Sequence, residues 1–299
     1  MKPFLWVAFP KMLGGYRKII ELAQSLGFGG IAPRAGQRGW NDRACSPDDV
    51  KAIVDAGLDC LPWIFSEPDS VDVEVEDWRR LEDAGATAGI IDAEIPWDRA
   101  SDAKAKATRY GELSSKRVKM PLYDAPWPMI DFHPGYPERE FRWVAGRMIQ
   151  TYATEIGWTT AKTFDTAAMQ WAKHEPLSRV LPIGITYGRS ELQAWGAGQL
   201  PPRDLVDADL VEAASRVRAG WYSGEAARPA TLQRISALLR AQAAPTREPG
   251  LQLGDDGPAV PLGWADRAES ARAATLVALR DDERAEMLAH YTRNLPKAA

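Results

Sequence analysis

A repeated pattern along roughly the first 240 residues constrains the fold of this chain more than any other feature. A short apolar segment, a polar turn and an amphipathic helix or helical loop follow one another about eight times. Strands that alternate with helices predict βαβ units and a parallel sheet. Eight such units in about 250 residues are typical of a barrel. We therefore predict an α/β protein, a (β/α)8 TIM barrel with a short helical C-terminal extension.

The predicted strands are apolar segments that end at polar turns. They comprise residues 4–9, 30–35, 59–65, 88–94, 119–124, 147–153, 180–187 and 219–223. Apolar residues at helical spacing between them predict the helices. These comprise residues 14–26, 46–57, 71–84, 101–115, 160–173, 202–218 and 231–242. An open doubly wound sheet is the alternative, but residues 11–15 lack the glycine-rich phosphate-binding pattern expected after its first strand.

The composition of the chain changes after the last predicted barrel helix. Residues 1–243 form the predicted barrel domain, and the Pro- and Gly-containing stretch 244–258 is a predicted linker. Residues 259–299 are predicted to form a helical C-terminal extension. Because about forty residues bury only a small core, we expect this extension to pack on the barrel or on a protein partner.

Composition excludes several classes of function. The formal net charge is -4 and the isoelectric point is about 5.6, so no basic surface for nucleic acid is predicted. No apolar run reaches the about 18 residues of a membrane span, and the N-terminus does not resemble a signal peptide. We expect a chain that is cytoplasmic at synthesis and, if phage-encoded, virion-associated or released by lysis. Two cysteines and three dispersed histidines predict neither a disulfide framework nor a metal or other cofactor.

The fourth predicted strand ends in two carboxylates, Asp92 and Glu94. Side chains alternate between the two faces of a strand, so these two should point to the same side. Two acids at the end of an apolar strand are costly to bury without a purpose. A functional pair is the favoured interpretation, and a pair of solvated acids with basic partners is the alternative.

Barrel enzymes build their sites at the carboxyl ends of the strands. Those ends supply carboxylates, aromatic rings and hydrogen-bonding side chains, a combination that suits glycoside hydrolysis. The candidates are Asp92 and Glu94 for catalysis, with Arg34, Trp63, Tyr123, Asp124, Gln150, Tyr152, Glu155, Tyr187 and Trp221 for substrate binding.

Other readings of these residues stay open. Asp92, Glu94 and Asp124 are oxygen ligands that a divalent cation would accept. Asp124 could instead cap its loop, and Glu155 could form a surface ion pair. Arg34 could neutralise one of the strand-four acids, which would still place it in the site.

The strand-four sequence Gly89–Glu94 resembles the Asp-x-Glu signature of barrel glycosidases that cut cell-wall or chitin-like polymers. It is similar to the pair in family 25 lysozymes and, more loosely, to the longer acidic motif of family 18 chitinases. Met148–Tyr152 and Pro182–Tyr187 resemble strands six and seven of related phage and bacterial glycoside-hydrolase-like barrels. The resemblance covers residues 4–228.

This resemblance implies a glycoside hydrolase acting on a peptidoglycan-like or N-acetylated polysaccharide. Glu94 would be the general acid, and Asp92 would orient an acetamido group or stabilise positive charge. The lysozyme family also has an acid on strand one, where this chain has Trp6–Lys11. This difference favours a second hypothesis, a non-catalytic barrel that binds glycan or serves as a virion or surface component.

Overall fold

A computed structural model describes residues 3–37, 45–150, 160–186, 204–216, 220–222, 227 and 229–243 of the chain. Its strands are β1 (Phe4–Val7), β2 (Gly30–Gln37), β3 (Asp59–Cys60), β4 (Trp63–Ser66), β5 (Gly89–Ala93), β6 (Leu122–Asp124), β7 (Arg147–Gln150), β8 (Val180–Ile185) and β9 (Gly220–Tyr222). All pairings are parallel, and β1 pairs with both β2 and β9, so the sheet closes on itself. Because β3 and β4 both pair with β2, they are two parts of one barrel strand. The predicted eight-stranded (β/α)8 barrel is confirmed.

Helices follow the strands around the barrel. They are α1 (Tyr16–Leu26), α2 (Pro47–Asp55), α3 (Val71–Asp83), α4 (Ile95–Arg99), α5 (Ala103–Arg117), α6 (Thr160–Trp171), α7 (Asp207–Arg216) and α8 (Pro229–Ala243). Each long helix turns an apolar stripe toward the sheet, as Ile19, Ala23 and Leu26 do in α1. Among the helices described, none is both long and apolar enough to cross a lipid bilayer.

Three details differ from the sequence prediction. The third strand is interrupted at Pro62 and the fifth begins only at Leu122, after Pro121, because proline has no N–H to donate to a strand pairing. The five-residue helix α4 was not predicted, although Pro96 in its first turn is a typical start signal. The predicted linker 244–258 and extension 259–299 lie outside the described residues, so these domain limits stay predictions.

Apolar side chains fill the barrel interior. The interior cluster consists of Phe4, Trp6, Ala32, Leu61, Trp63, Ala88, Ile90, Ala125, Met148 and Ile183. Small residues lie beside large ones, and the rings of Trp6 and Trp63 pack with their centroids 5.4 Å apart. Because this packed core blocks the barrel, polar side chains that face inward can meet a ligand only at its carboxyl-terminal mouth.

Helix α2 begins with a capping box that tests the assigned start of this helix. The Asp49 amide donates to Ser46 Oγ (3.2 Å), and the Ser46 amide donates to Asp49 Oδ2 (2.8 Å). We expect Ser46→Ala to lower the free energy of unfolding by about 1 kcal/mol, which shifts the thermal midpoint by about 2–4 °C. The matched control is Ser115→Ala on the exposed face of α5, which should leave the midpoint nearly unchanged. An equal effect of both substitutions would contradict the assignment.

Candidate functional site

Asp92 and Glu94 lie where β5 leaves the barrel. Asp92 faces the interior, because Ile90, two residues earlier, belongs to the interior cluster. Glu94 follows the strand and precedes α4, and its carbonyl oxygen accepts the amides of Trp97 (3.0 Å) and Asp98 (3.3 Å). Asp92 is 8% exposed, whereas Glu94 is only partly buried. One carboxyl group therefore lies inside the mouth, and the next lies nearer its rim.

The surroundings of Asp92 favour its protonated form. Burial raises its pKa well above the usual value, repulsion from Glu94 and Asp124 adds to the rise, and the positive charge of Arg34 opposes it. Asp92 Oδ1 is buried and has no hydrogen-bond partner among the described residues. Since burial and the charges of Glu94 and Asp124 all oppose its ionisation, Asp92 holds its proton more tightly than a solvent-exposed aspartate does.

Arg34 supplies the positive charge in this part of the barrel. It faces inward from β2, two residues after the interior Ala32, and is almost fully buried. Its guanidinium carbon lies 5.7 Å from the ring centroids of both Phe9 and Trp63, a geometry typical of cation–π contact. The Trp63 indole donates to the Val7 carbonyl at 3.1 Å. Trp63, predicted to bind substrate, thus lies in the core and supports Arg34.

Two other predicted binding residues face the barrel interior at different depths. Gln150 is the last residue of β7 and is buried, and its Oε1 has no partner among the residues that the structure describes. Tyr123 pairs in register with Ile90, the inward-facing residue that comes two positions before Asp92 on β5. Ala125 is therefore the inward residue of this segment next to Asp92, and Tyr123 lies deeper in the barrel than the mouth.

Asp124 faces away from the barrel interior, because its neighbours Tyr123 and Ala125 face inward. Its Oδ2 accepts hydrogen bonds from Arg147 and from the Tyr136 hydroxyl, and Arg147 Nε also donates to Glu175 at 2.8 Å. Burial raises the pKa of Asp124 to about 6, against the lowering effect of Arg147 and Tyr136. This buried ion cluster connects the strand residues Asp124 and Arg147 to Tyr136 and Glu175, which lie outside the strands.

Trp221 also faces the outer side of the sheet. It pairs in register with Leu5, and the interior residue Trp6 pairs with Tyr222 instead. Its fully buried ring packs against the backbone of Gly184, where an added Cβ would approach within 2.5 Å of the indole. The structure therefore brings Asp92, Glu94, Arg34 and Gln150 toward the mouth, but neither Asp124 nor Trp221.

Three predicted binding residues, Tyr152, Glu155 and Tyr187, lie outside the described residues, and their roles stay predictions. Within the described ranges, no three His, Cys, Asp or Glu side chains come together as a metal would require. Asp92, Glu94 and Asp124 consequently do not form the cluster that the divalent-cation reading needs.

The sequence analysis missed two features of the site. One is Phe9, whose ring lies near the Arg34 guanidinium, as the ring of Trp63 does. The other is α4, which is held on its outer side by the loop after β6. There Asp98 Oδ1 accepts the Gly135 amide (2.9 Å), and Asp98 Oδ2 lies 3.2 Å from His133 Nδ1. Proline at the second position of α4 was the available signal for the helix, but no sequence pattern indicated its partners.

Known proteins share the fold of this chain but little of its sequence. No protein-family model matches the chain, and no curated protein matches it. The glycoside hydrolase domain of PgaB (BpsB) from Bordetella bronchiseptica is 10% identical with a TM-score of 0.51, covering 80% of this chain and 98% of that one. The GH36 alpha-galactosidase AgaA from Geobacillus stearothermophilus is 11% identical with a TM-score of 0.52, covering 81% and 42%. Concanavalin B is 12% identical with a TM-score of 0.50, covering 80% and 98%. The structural neighbours of this chain thus include TIM-barrel glycoside hydrolases. At these low identities the likeness establishes the fold alone.

The burial of Asp92 predicts a pH-dependent effect on stability. A carboxyl group whose pKa is higher in the folded than in the unfolded chain destabilises the fold as pH rises above its unfolded value of about 3.9. Asp92→Asn should therefore raise the thermal midpoint by a few degrees at pH 8 and by less at pH 5. The control is Asp72→Asn, since Asp72 is exposed and Arg109 lowers its pKa. A lower midpoint for Asp92→Asn at both pH values would refute the prediction.

Proposed function

We propose that this chain is a glycoside hydrolase that uses Glu94 as its general acid, assisted by Asp92. The observation that carries the proposal is the pair itself, two mutually repelling carboxyl groups at the carboxyl end of one barrel strand. Glycoside hydrolysis needs a carboxyl group that is still protonated when substrate is bound. A like charge close by is one of the ways in which proteins retain such a proton.

The different depths of the two carboxyl groups support different roles. The partly exposed Glu94 is the one that a polymer lying across the mouth can reach, so it protonates the leaving oxygen. The buried Asp92 stays beneath the sugar ring, where its carboxyl group orients an acetamido substituent or, once ionised, stabilises the positive charge of the transition state. Arg34, close enough to oppose the pKa shift of Asp92, limits the cost of ionising it.

The substrate proposed here is a peptidoglycan-like or other N-acetylated polysaccharide. This part of the proposal comes from the Asp-x-Glu sequence and its resemblance to lysozymes of family 25. Gln150, with a buried amide oxygen at the mouth, is proposed to bind a sugar hydroxyl or amide. Tyr152, Glu155 and Tyr187 are proposed as further sugar contacts because they follow strands that end at the same mouth. A phage endolysin is the biological role that fits this substrate, and the C-terminal extension is proposed to contact a protein partner.

Replacement of the acid tests the proposed reaction. The wild type should release reducing ends from purified peptidoglycan or from β-linked N-acetylated oligosaccharides, and Glu94→Gln should lower kcat by about 100-fold or more, because general acid catalysis contributes about that much. Glu112→Gln, on the exposed face of α5, is the matched control and should retain full activity. Equal activity of Glu94→Gln and wild type would exclude Glu94 as the acid.

The coupling between the two carboxyl groups predicts a change in the pH profile. A general acid must be protonated, so activity falls as pH rises through its pKa. Once Asp92 is ionised, its charge opposes ionisation of Glu94, so Asp92→Asn should move the alkaline limb of the kcat profile to lower pH by about one unit, as expected for interacting sites. The residual activity of this variant is measured from pH 4 to pH 9. If the alkaline limb stays at the same pH in Asp92→Asn, then Asp92 does not favour the protonated form of Glu94.

A second candidate function is glycan binding without catalysis, by a surface or virion component. The observation that favours it is the end of β1, where the segment Trp6–Lys11 contains no acid and Ala8 packs against the interior cluster, whereas family 25 lysozymes have an acid on strand one. In this case the wild type would bind N-acetylated oligosaccharides without releasing reducing ends, and Glu94→Gln would change affinity alone.

A further inference from the structure

The proposed reaction makes no use of one fully buried carboxylate, that of Glu74 on α3. Its Oε2 accepts the hydroxyls of Ser66 (2.7 Å) and Tyr110 (2.8 Å), and its Oε1 accepts the Glu67 amide (3.0 Å). Burial raises its pKa to about 7, although these hydrogen bonds lower it. Because burying a carboxyl group is costly, the residues to which it is hydrogen-bonded indicate which part of the structure it holds in place.

Two matched chains of hydrogen bonds leave Glu74 Oε2. In the first, Ser66 Oγ accepts the indole N–H of Trp97 at 3.1 Å. In the second, the Tyr110 hydroxyl accepts the indole N–H of Trp78 at 2.7 Å. Trp97 belongs to α4, whereas Trp78 lies on α3 with Glu74 itself. The first chain therefore reaches the helix that follows Glu94 by hydrogen bonds, whereas the second meets it only where the Tyr110 ring stacks on the Trp97 ring with centroids 6.2 Å apart, a contact that a phenylalanine at position 110 would keep.

Trp97 controls the local geometry at Glu94. Its amide donates to the Glu94 carbonyl, so the two residues close the first turn of α4. Its ring is fully buried and meets the Phe141 ring edge-on at 4.8 Å. A five-residue helix has little stability of its own, so the orientation of this turn depends on the contacts of Trp97.

We propose that Glu74 is a positioning residue for Glu94 and acts through Ser66 and Trp97. The buried carboxylate fixes the Ser66 hydroxyl, the hydroxyl fixes the Trp97 indole, and the indole fixes the first turn of α4 at the rim of the mouth. This inference rests on the proposed function for its catalytic consequence, but the anchoring of α4 is a property of the fold alone.

The symmetry of the network provides a matched pair of variants. Ser66→Ala removes the hydroxyl that leads to α4, and Tyr110→Phe removes the hydroxyl that leads to Trp78. Each variant deletes one hydrogen bond to Glu74 Oε2 and leaves one indole N–H without its acceptor. Both should lower the thermal midpoint, so a general loss of stability cannot distinguish them.

The first readout is the rate of backbone amide exchange in the full-length protein. Ser66→Ala should speed exchange at the amides of Trp97 and Asp98, which are bonded to the Glu94 carbonyl, and Tyr110→Phe should leave those amides as in the wild type. The second readout is catalysis. Ser66→Ala should lower kcat by about 10- to 100-fold with little change in KM, because a misplaced general acid affects the chemical step, and Tyr110→Phe should stay within about twofold of wild-type kcat.

Equal exchange at these two amides in both variants, whether raised or unchanged, would overturn the proposal. So would selective exchange in Ser66→Ala without a selective fall in kcat, provided that the wild type hydrolyses a substrate. If the wild type hydrolyses none of the polysaccharides, the proposed function fails by itself, and the exchange rates alone decide whether the hydrogen-bond chain from Glu74 through Ser66 anchors α4.

Discussion

The two-residue alternation of side chains in a closed parallel sheet controls where every polar group of this barrel lies. Closure leaves two environments, a narrow interior and the layer between sheet and helices. On β2 and β5 the alternation sends Arg34 and Asp92 inward, after the interior residues Ala32 and Ile90. On β6 it sends Asp124 outward. Two aspartates at the ends of neighbouring strands thus belong to different parts of the protein.

The chain accommodates its buried acids by different physical means, and the means indicate the role. Asp124 has a guanidinium partner, Arg147, which also bonds Glu175, so its charge is neutralised although its Oδ1 has no hydrogen-bond partner among the described residues. Glu74 is satisfied by neutral donors. Asp92 likewise has a buried oxygen with no partner among the residues described, but unlike Asp124 it faces the barrel interior. An incompletely satisfied acid at the mouth of a barrel is the arrangement expected of a group that meets a ligand.

The rim of the mouth at Glu94 depends on contacts distant in sequence. The helix α4 is held from the inner side by Ser66, which accepts the Trp97 indole, and from the outer side by Gly135, which donates to Asp98. Space for a side chain is absent at Gly135, where a Cβ would lie 1.9 Å from the Asp98 carbonyl oxygen. Backbone and side chain thus fix the helix together, which gives the acid beside it a defined position.

The barrel was predictable from sequence because its signal is local and repeated. Alternating strand and helix patterns define the eight units, and chain length limits the architectures that can hold them. The pair Asp92 and Glu94 was found for the same reason, since both residues belong to one strand end. Less predictable were the breaks at Pro62 and before Leu122, where missing N–H groups shorten strands that look continuous in sequence.

Sequence by itself determined the fold class, the strand that carries the two carboxyl groups and their position at its carboxyl end. Only the tertiary structure decided that Trp63 supports Arg34 from within the core, that Asp124 and Trp221 face the outer layer, and that Glu74 connects to Trp97. The physical reason is that these outcomes depend on register between strands and on contacts between residues far apart in the sequence, such as Leu5 and Trp221. A pattern within one segment carries no information about which segment packs against it.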